Sequence, residues 1–149
     1  VNTIKFHIRQ VVKVLIYTSM IIDLTSATEQ NLNLSIKDFS KIERIYIDNS
    51  VLLNKQYFGL EKACKGWKFN EESLKEFFKI SQKYEDWQTS YRIFDQIPCV
   101  IRGRFSLDNI DYFFEINAGG SFEIWNNNYK FYFGCDNKQN KKCDIFLLD

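Results

Sequence analysis

Between Pro98 and Cys135 the chain alternates. Ile101, Gly103, Phe105 and Leu107 fall on one side of an extended backbone, with Arg102 and Arg104 on the other. The same period of two recurs in Tyr112, Phe114 and Ile116, then in Phe122 and Ile124, then in Tyr129, Phe131 and Phe133. Successive side chains of a strand point to opposite faces, so this spacing predicts successive strands, each with one apolar face. The breaks are turn chemistry: Asp108-Asn109, Ala118-Gly119-Gly120 and Asn126-Asn127-Asn128. Glycine supplies the positive φ that a tight turn needs. Alternating strands joined by short turns form an antiparallel meander.

Upstream the period changes. Leu74, Phe77, Phe78, Tyr84 and Trp87 follow helical spacing, while Lys75, Glu76, Lys79, Gln82 and Lys83 lie elsewhere on the wheel. Asn70 suits an N-cap, and Glu71 and Glu72 suit the positive end of the helix dipole. The expectation is one amphipathic helix of about four turns, its aromatic stripe in the core. Ile42, Ile45 and Ile47 in "KIERIYIDN" read as an earlier strand that stops at Asp48-Asn49. The segment "SVLLNKQYFGLEKACKGW" is open between loop and short helix, and "DIFLLD" reads as a final short strand. The fold class is α+β: an antiparallel four- to five-stranded meander packed against one main amphipathic helix.

The front of the chain reads as a secretory signal peptide over residues 1–27, with a single domain over 28–149. Lys5, His7, Arg9 and Lys13 precede an apolar run from Val14 to Ile22, and Thr25-Ser26-Ala27 supplies small residues for cleavage near Ala27. The run is too short to span a bilayer. Asp23 sits close behind it, which is unusual for such a leader, and a buried N-terminal strand or helix is the alternative reading. No cysteine follows the run, so no lipid anchor is expected. Cleavage would remove the only His and the only Met of the chain and shift the formal charge from +1 to −1. The expected location is the periplasm.

Composition adds little to the fold and more to the chemistry. Aromatics make up 17% of the chain, enough large side chains to fill the core of a small domain. A net charge of +1 with interspersed signs gives no basic face for nucleic acid and no charged block for a membrane surface. Cys64, Cys99, Cys135 and Cys143 are even in number, which in an exported chain implies disulfides. Three pairings are possible. Cys135 and Cys143 flank the polar loop "DNKQNKK", which leaves Cys64 with Cys99. A zinc site would need short ligand pairs or histidine, and a redox pair would need Cys-x-x-Cys; the cysteines show neither spacing, and the one histidine lies in the expected leader. No cofactor is expected.

The polar face of the meander carries Arg102 and Arg104, then Phe113 and Glu115, then Glu123 and Trp125, then Lys130 and Tyr132. Two readings fit. One is a solvated face with ordinary cross-strand charge pairs. The other is a partner-binding surface, because aromatics with arginine on a rigid sheet are the usual material of protein hot spots. An enzyme is not expected. Once the leader is removed with His7, the commonest general base is missing, and "NAGGS" lacks the spacing and lysine of a phosphate loop. Glu115 and Glu123 would form a glycosidase-like pair only in a cleft, at suitable separation and with unequal surroundings. A calcium site in "CDNKQNKKCD" is opposed by its lysines.

The succession "ACKGWKFNEESLKEFF", "IPCVIRGRF", "YFFEINAGGSFEI" and "YFGC" resembles a pattern in small exported bacterial proteins. Some of these are similar to immunity proteins that neutralise secreted antibacterial toxins in the periplasm. The shared elements are Cys64 with Trp67, Phe77-Phe78, Pro98-Cys99 with Gly103, and Asn117 to Gly120. The resemblance implies a disulfide-stabilised α+β domain whose function is binding, with a cognate secreted toxin as partner. The alternative is a carbohydrate-binding module of the cell envelope, or a carboxylate-dependent wall hydrolase, using Glu115, Glu123, Trp125 and Tyr132.

Overall fold

Three asparagine- and glycine-bearing turns shape the sheet. The computed structural model describes residues 34–53, 57 and 59–148. The expected leader over residues 1–27, with His7 and Met20, lies outside the described residues. Strands β4 (Cys99–Leu107), β5 (Ile110–Asn117), β6 (Ser121–Trp125) and β7 (Lys130–Gly134) form the antiparallel meander. Asp108 and Asn109 both take positive φ, 49° and 63°, as a two-residue turn matched to the strand twist requires. Gly120 closes the next turn at φ 103°. In the third, Asn126 accepts hydrogen bonds from the backbone N–H groups of Asn128 and Tyr129, each at 2.9 Å.

The sheet is larger than a four- to five-stranded meander. Among the described residues it has seven strands: β1 (Glu43–Ile47), β2 (Val51–Leu52) and β3 (Gln82–Tyr84) join the meander, in the order β1-β4-β5-β6-β7-β3 with β2 also beside β4. β1 and β2 share one edge of β4, and β3 adds to β7 at the opposite edge. β1 is the strand foreseen from the isoleucines. A bulge shifts its register between Glu43 and Tyr46, and Arg44 within it takes φ 43°.

The core lies on one face. Ile101, Phe105, Tyr112, Phe114, Ile116, Phe122, Ile124 and Phe133 are buried there, as alternation predicts. Tyr129 is not among them: it precedes β7 and is exposed. Helix α2 (Glu71–Ile80) packs on this face. Asn70 caps it, its side chain accepting from the Ser73 N–H at 2.7 Å, while Ser73 Oγ accepts from the Asn70 N–H at 2.9 Å. Leu74, Phe77 and Phe78 are fully buried, and burial of three such side chains contributes roughly 5–9 kcal/mol. Phe78 stacks on Phe122 at 5.0 Å and meets Phe114 edge-on at 5.6 Å. Phe39, from a 3₁₀ helix at Ile36–Lys41, closes the cluster against Phe78 and Phe133.

The single four-turn helix is corrected by the structure. α2 ends at Ile80; the chain extends as β3 and then restarts as a separate helix α3 (Trp87–Ile93). Ser81 terminates α2, its Oγ donating to the Phe77 carbonyl at 2.7 Å. β7 offers an open edge, and Gln82, Lys83 and Tyr84 take its backbone partners. Asp86 then caps α3, accepting from the Thr89 N–H at 2.7 Å. Tyr84 and Trp87 therefore continue the helical spacing by coincidence. A nonlocal sheet edge outweighs local period here.

Two smaller readings resolve. "SVLLNKQYFGLEKACKGW" contains both β2 and a short helix α1 (Leu60–Gly66). "DIFLLD" is not a strand: Lys141–Phe146 forms a 3₁₀ helix. Asn140 caps that helix, and a disulfide at Cys143 ties it back to Cys135. Phe146 is buried against Phe69 at 5.8 Å, and its carbonyl accepts from Trp67 Nε1 at 2.8 Å. Both disulfides pair as expected: Cys64 with Cys99 joins α1 to β4, and Cys135 with Cys143 closes the polar loop. Such bridges fit an oxidising compartment outside the cytosol. Among the described residues no helix is long and apolar enough to cross a membrane.

Candidate functional site

The outer face of the sheet is ordered by register into two rows. One runs Tyr46, Arg104, Phe113, Trp125, Lys130 across β1, β4, β5, β6 and β7. The other runs Arg102, Glu115, Glu123, Tyr132 and ends at Tyr84 on β3. Every residue foreseen on this face is thus brought together, in neighbouring pairs.

The first row is aromatic and cationic. Arg104 lies 4.7 Å from the Tyr46 ring centroid, Phe113 stacks on Trp125 at 6.1 Å, and Lys130 sits 5.8 Å from the Trp125 ring. Exposed contacts of this kind contribute about 0.5–1 kcal/mol each and hold the side chains in place. Phe113 is 44% exposed. Arg104 has no salt bridge among the described residues.

The second row is ion-paired. Arg102 Nε donates to Glu115 Oε2 at 2.6 Å, and Lys130 Nζ to Glu123 Oε2 at 2.5 Å. The bond to Glu123 raises the Lys130 pKa, partly offset by burial. These are the cross-strand pairs of the bland reading, and partly exposed pairs contribute little to stability. Glu115 and Glu123, however, stand directly opposite each other. Like charges in that relation are destabilising.

What covers one end of this face left no local signal in the residues. α3 and the following loop lie over it. Phe94 is buried against Gly134 of β7, where a side chain at the glycine would run into its ring. Asn117 pins the loop: its Nδ2 donates to the Ile97 carbonyl at 2.6 Å, and its Oδ1 accepts from the Ile97 N–H at 3.3 Å. Tyr84 packs edge-on against Phe94 at 5.7 Å. Its hydroxyl is buried without a hydrogen-bond partner among the described residues, and burial, aided by the Asp136 charge, raises its pKa.

Where α3 meets the open part of the sheet there is a cleft of about 200 Å³. Glu115, Glu123 and Tyr132 form its floor, Trp87 and Tyr91 its aromatic wall, and Asn117 and Ser121 its inner end. Trp87 and Tyr91 meet edge-on at 6.2 Å and are 54% and 58% exposed. The expectation that Trp87 belongs to the core is therefore corrected: on α3 it faces the outer side, not the core. Among the described residues no group of three or more His, Cys, Asp or Glu is placed to hold a metal.

Set against models of protein families, curated proteins and solved structures, the chain has no significant match.

Proposed function

We propose that this protein is an exported, non-enzymatic binding protein of the immunity type, which blocks a secreted protein toxin by covering its active site or substrate cleft. The observation that carries this reading is the row Tyr46, Arg104, Phe113, Trp125, Lys130. It is an aromatic and cationic surface on an antiparallel sheet, with Tyr46 and Phe113 exposed within it. Anchors of that composition dominate protein interfaces. The two disulfides fit the export that the reading requires.

The test is capture from periplasm with the folded protein as bait, which is expected to recover one dominant protein partner. Trp125→Ala and Phe113→Ala should each weaken that complex about tenfold or more while leaving the unfolding transition in place. Unchanged affinity in both variants removes the sheet face as the binding surface. No captured protein, together with unchanged competition when the gene and its neighbours are deleted, removes the reading.

The cleft favours one second reading, a carbohydrate-binding module of the envelope, because aromatic walls beside carboxylates and amides suit a sugar ring. Wall-glycan binding that Trp87→Ala abolishes would support it. A hydrolase is less well supported. Glu115 and Glu123 are side by side on one floor and each is ion-paired, so they do not flank a bond from two sides or differ in surroundings.

A further inference from the structure

We infer that the small cleft where Arg44 of β1 meets Arg104 of β4 receives one carboxylate, an aspartate or glutamate side chain presented by the protein partner. This deepens the binding reading above and rests on it.

Three observations converge. The first is uncompensated charge. The cleft, about 170 Å³, is lined by Arg44, Tyr46, Arg104, Phe105, Ser106 and Asp111. Arg102 and Lys130, elsewhere on the outer face, are each ion-paired. Arg44 and Arg104 are not: among the described residues neither guanidinium forms a salt bridge or a side-chain hydrogen bond. Asp111 makes no salt bridge with either, and its Oδ1 accepts from Ser106 Oγ at 2.5 Å. Glu43, next to Arg44, is exposed and stays outside the lining. One carboxylate against two guanidinium groups leaves the lining with an excess of positive charge.

The second is the backbone that brings the arginines together. Arg44 lies in the bulge of β1 and takes φ 43°. A residue with a β-carbon adopts that conformation at a cost. A bulge re-aims a side chain out of the regular alternation, and this one sets Arg44 at the cleft beside Arg104. An anion between the two would offset their repulsion. The third is presentation. The Arg104 guanidinium is held 4.7 Å from the Tyr46 ring centroid. Ring contact engages the flat face of a guanidinium and leaves the N–H donors along its edge to a carboxylate.

The same observations select the occupant. The cleft adjoins the row Tyr46, Arg104, Phe113 and Trp125, so its occupant and the aromatic anchors fall within one surface. Its volume suits one carboxylate head. Asp111 in the lining opposes a doubly charged phosphate more than a singly charged carboxylate.

The experiment is an NMR titration of the folded chain at low ionic strength with N-acetylglutamate amide, and in parallel with N-acetylglutamine amide and inorganic phosphate. Glutamine has nearly the shape of glutamate without its charge. The glutamate probe is expected to shift the Nε–H signals of Arg44 and Arg104 and the backbone of Tyr46 and Ser106, with millimolar affinity, the range open to a ligand of that size. Glutamine should bind about tenfold more weakly or not at all. Arg44→Gln with Arg104→Gln should reduce glutamate binding to the glutamine level. Arg44→Gly, which relieves the positive φ, should weaken glutamate binding while leaving the NMR fold signature intact. Equal binding of glutamate and glutamine, shifts outside the cleft only, undiminished binding in the variants, or phosphate binding as tightly as glutamate would overturn the inference. The binding reading fails separately, in the capture experiment, because that rests on Phe113 and Trp125 rather than on the two arginines.

Discussion

Removing the two disulfides one at a time tests how this domain is held together. The Cys64–Cys99 bridge spans 35 residues, and the Cys135–Cys143 bridge spans 8. On the loop-closure model the long bridge restricts the unfolded chain by about 3.8 kcal/mol and the short one by about 2.5 kcal/mol. All four cysteines are buried, at 1%, 0%, 1% and 0% exposure. The packing lost on replacement by alanine is therefore similar for both pairs and largely cancels in the comparison. The expected result is that Cys64→Ala with Cys99→Ala destabilises more than Cys135→Ala with Cys143→Ala, by about 1.3 kcal/mol. Against a total stability of about 5–15 kcal/mol for a domain, either loss is large. Equilibrium urea unfolding of the two double variants, followed by tryptophan fluorescence and checked for equal slopes, measures the difference. An equal cost for the two pairs, or a larger cost for the short one, would refute the chain-entropy reasoning. It would mean that the short bridge acts in the folded state, by holding the 3₁₀ helix with Phe146 against Trp67 and Phe69.

Phe78→Ala should cost about 3–5 kcal/mol in the same urea assay, because its ring is fully buried at the junction of α2 with β4, β5 and β6; a loss under about 1 kcal/mol would mean that the cluster repacks. Tyr84→Phe removes an orphaned hydroxyl and keeps the ring contact with Phe94, so it should leave stability unchanged or raise it by about 1 kcal/mol; a loss of that size would reveal a partner for the hydroxyl. Asp38 has its pKa lowered first by the Ser35 backbone N–H, against a smaller effect of burial and with help from Lys41. A depressed folded pKa contributes stability above the ordinary aspartate range and loses it as pH falls through the folded value. Asp38→Asn should therefore flatten the acid limb of the stability profile and leave the neutral limb lower but parallel, whereas an unchanged acid limb would exclude this carboxylate as a source of acid sensitivity.

How much of this could be read from residues alone depends on which part of the molecule is asked about. The meander was legible because its signals are local. Period two, Asp108-Asn109 and the glycine turn fix strands and register together, and so place Arg102 beside Glu115 and Glu123 beside Tyr132. The floor of the cleft follows from that register. Its wall does not. Residues 81–87 satisfy the helical period, and only the open edge of β7, distant in sequence, turns Gln82–Tyr84 into a strand and frees Trp87 and Tyr91 to stand over the outer face. Gly134 shows the same limit. In the sequence it ends a strand, while in the fold it is the gap that admits Phe94 and so anchors the covering segment. The opposed carboxylates of one row could thus be foreseen, but the aromatic wall beside them required a contact between segments about fifty residues apart, beyond the reach of helical or strand periodicity.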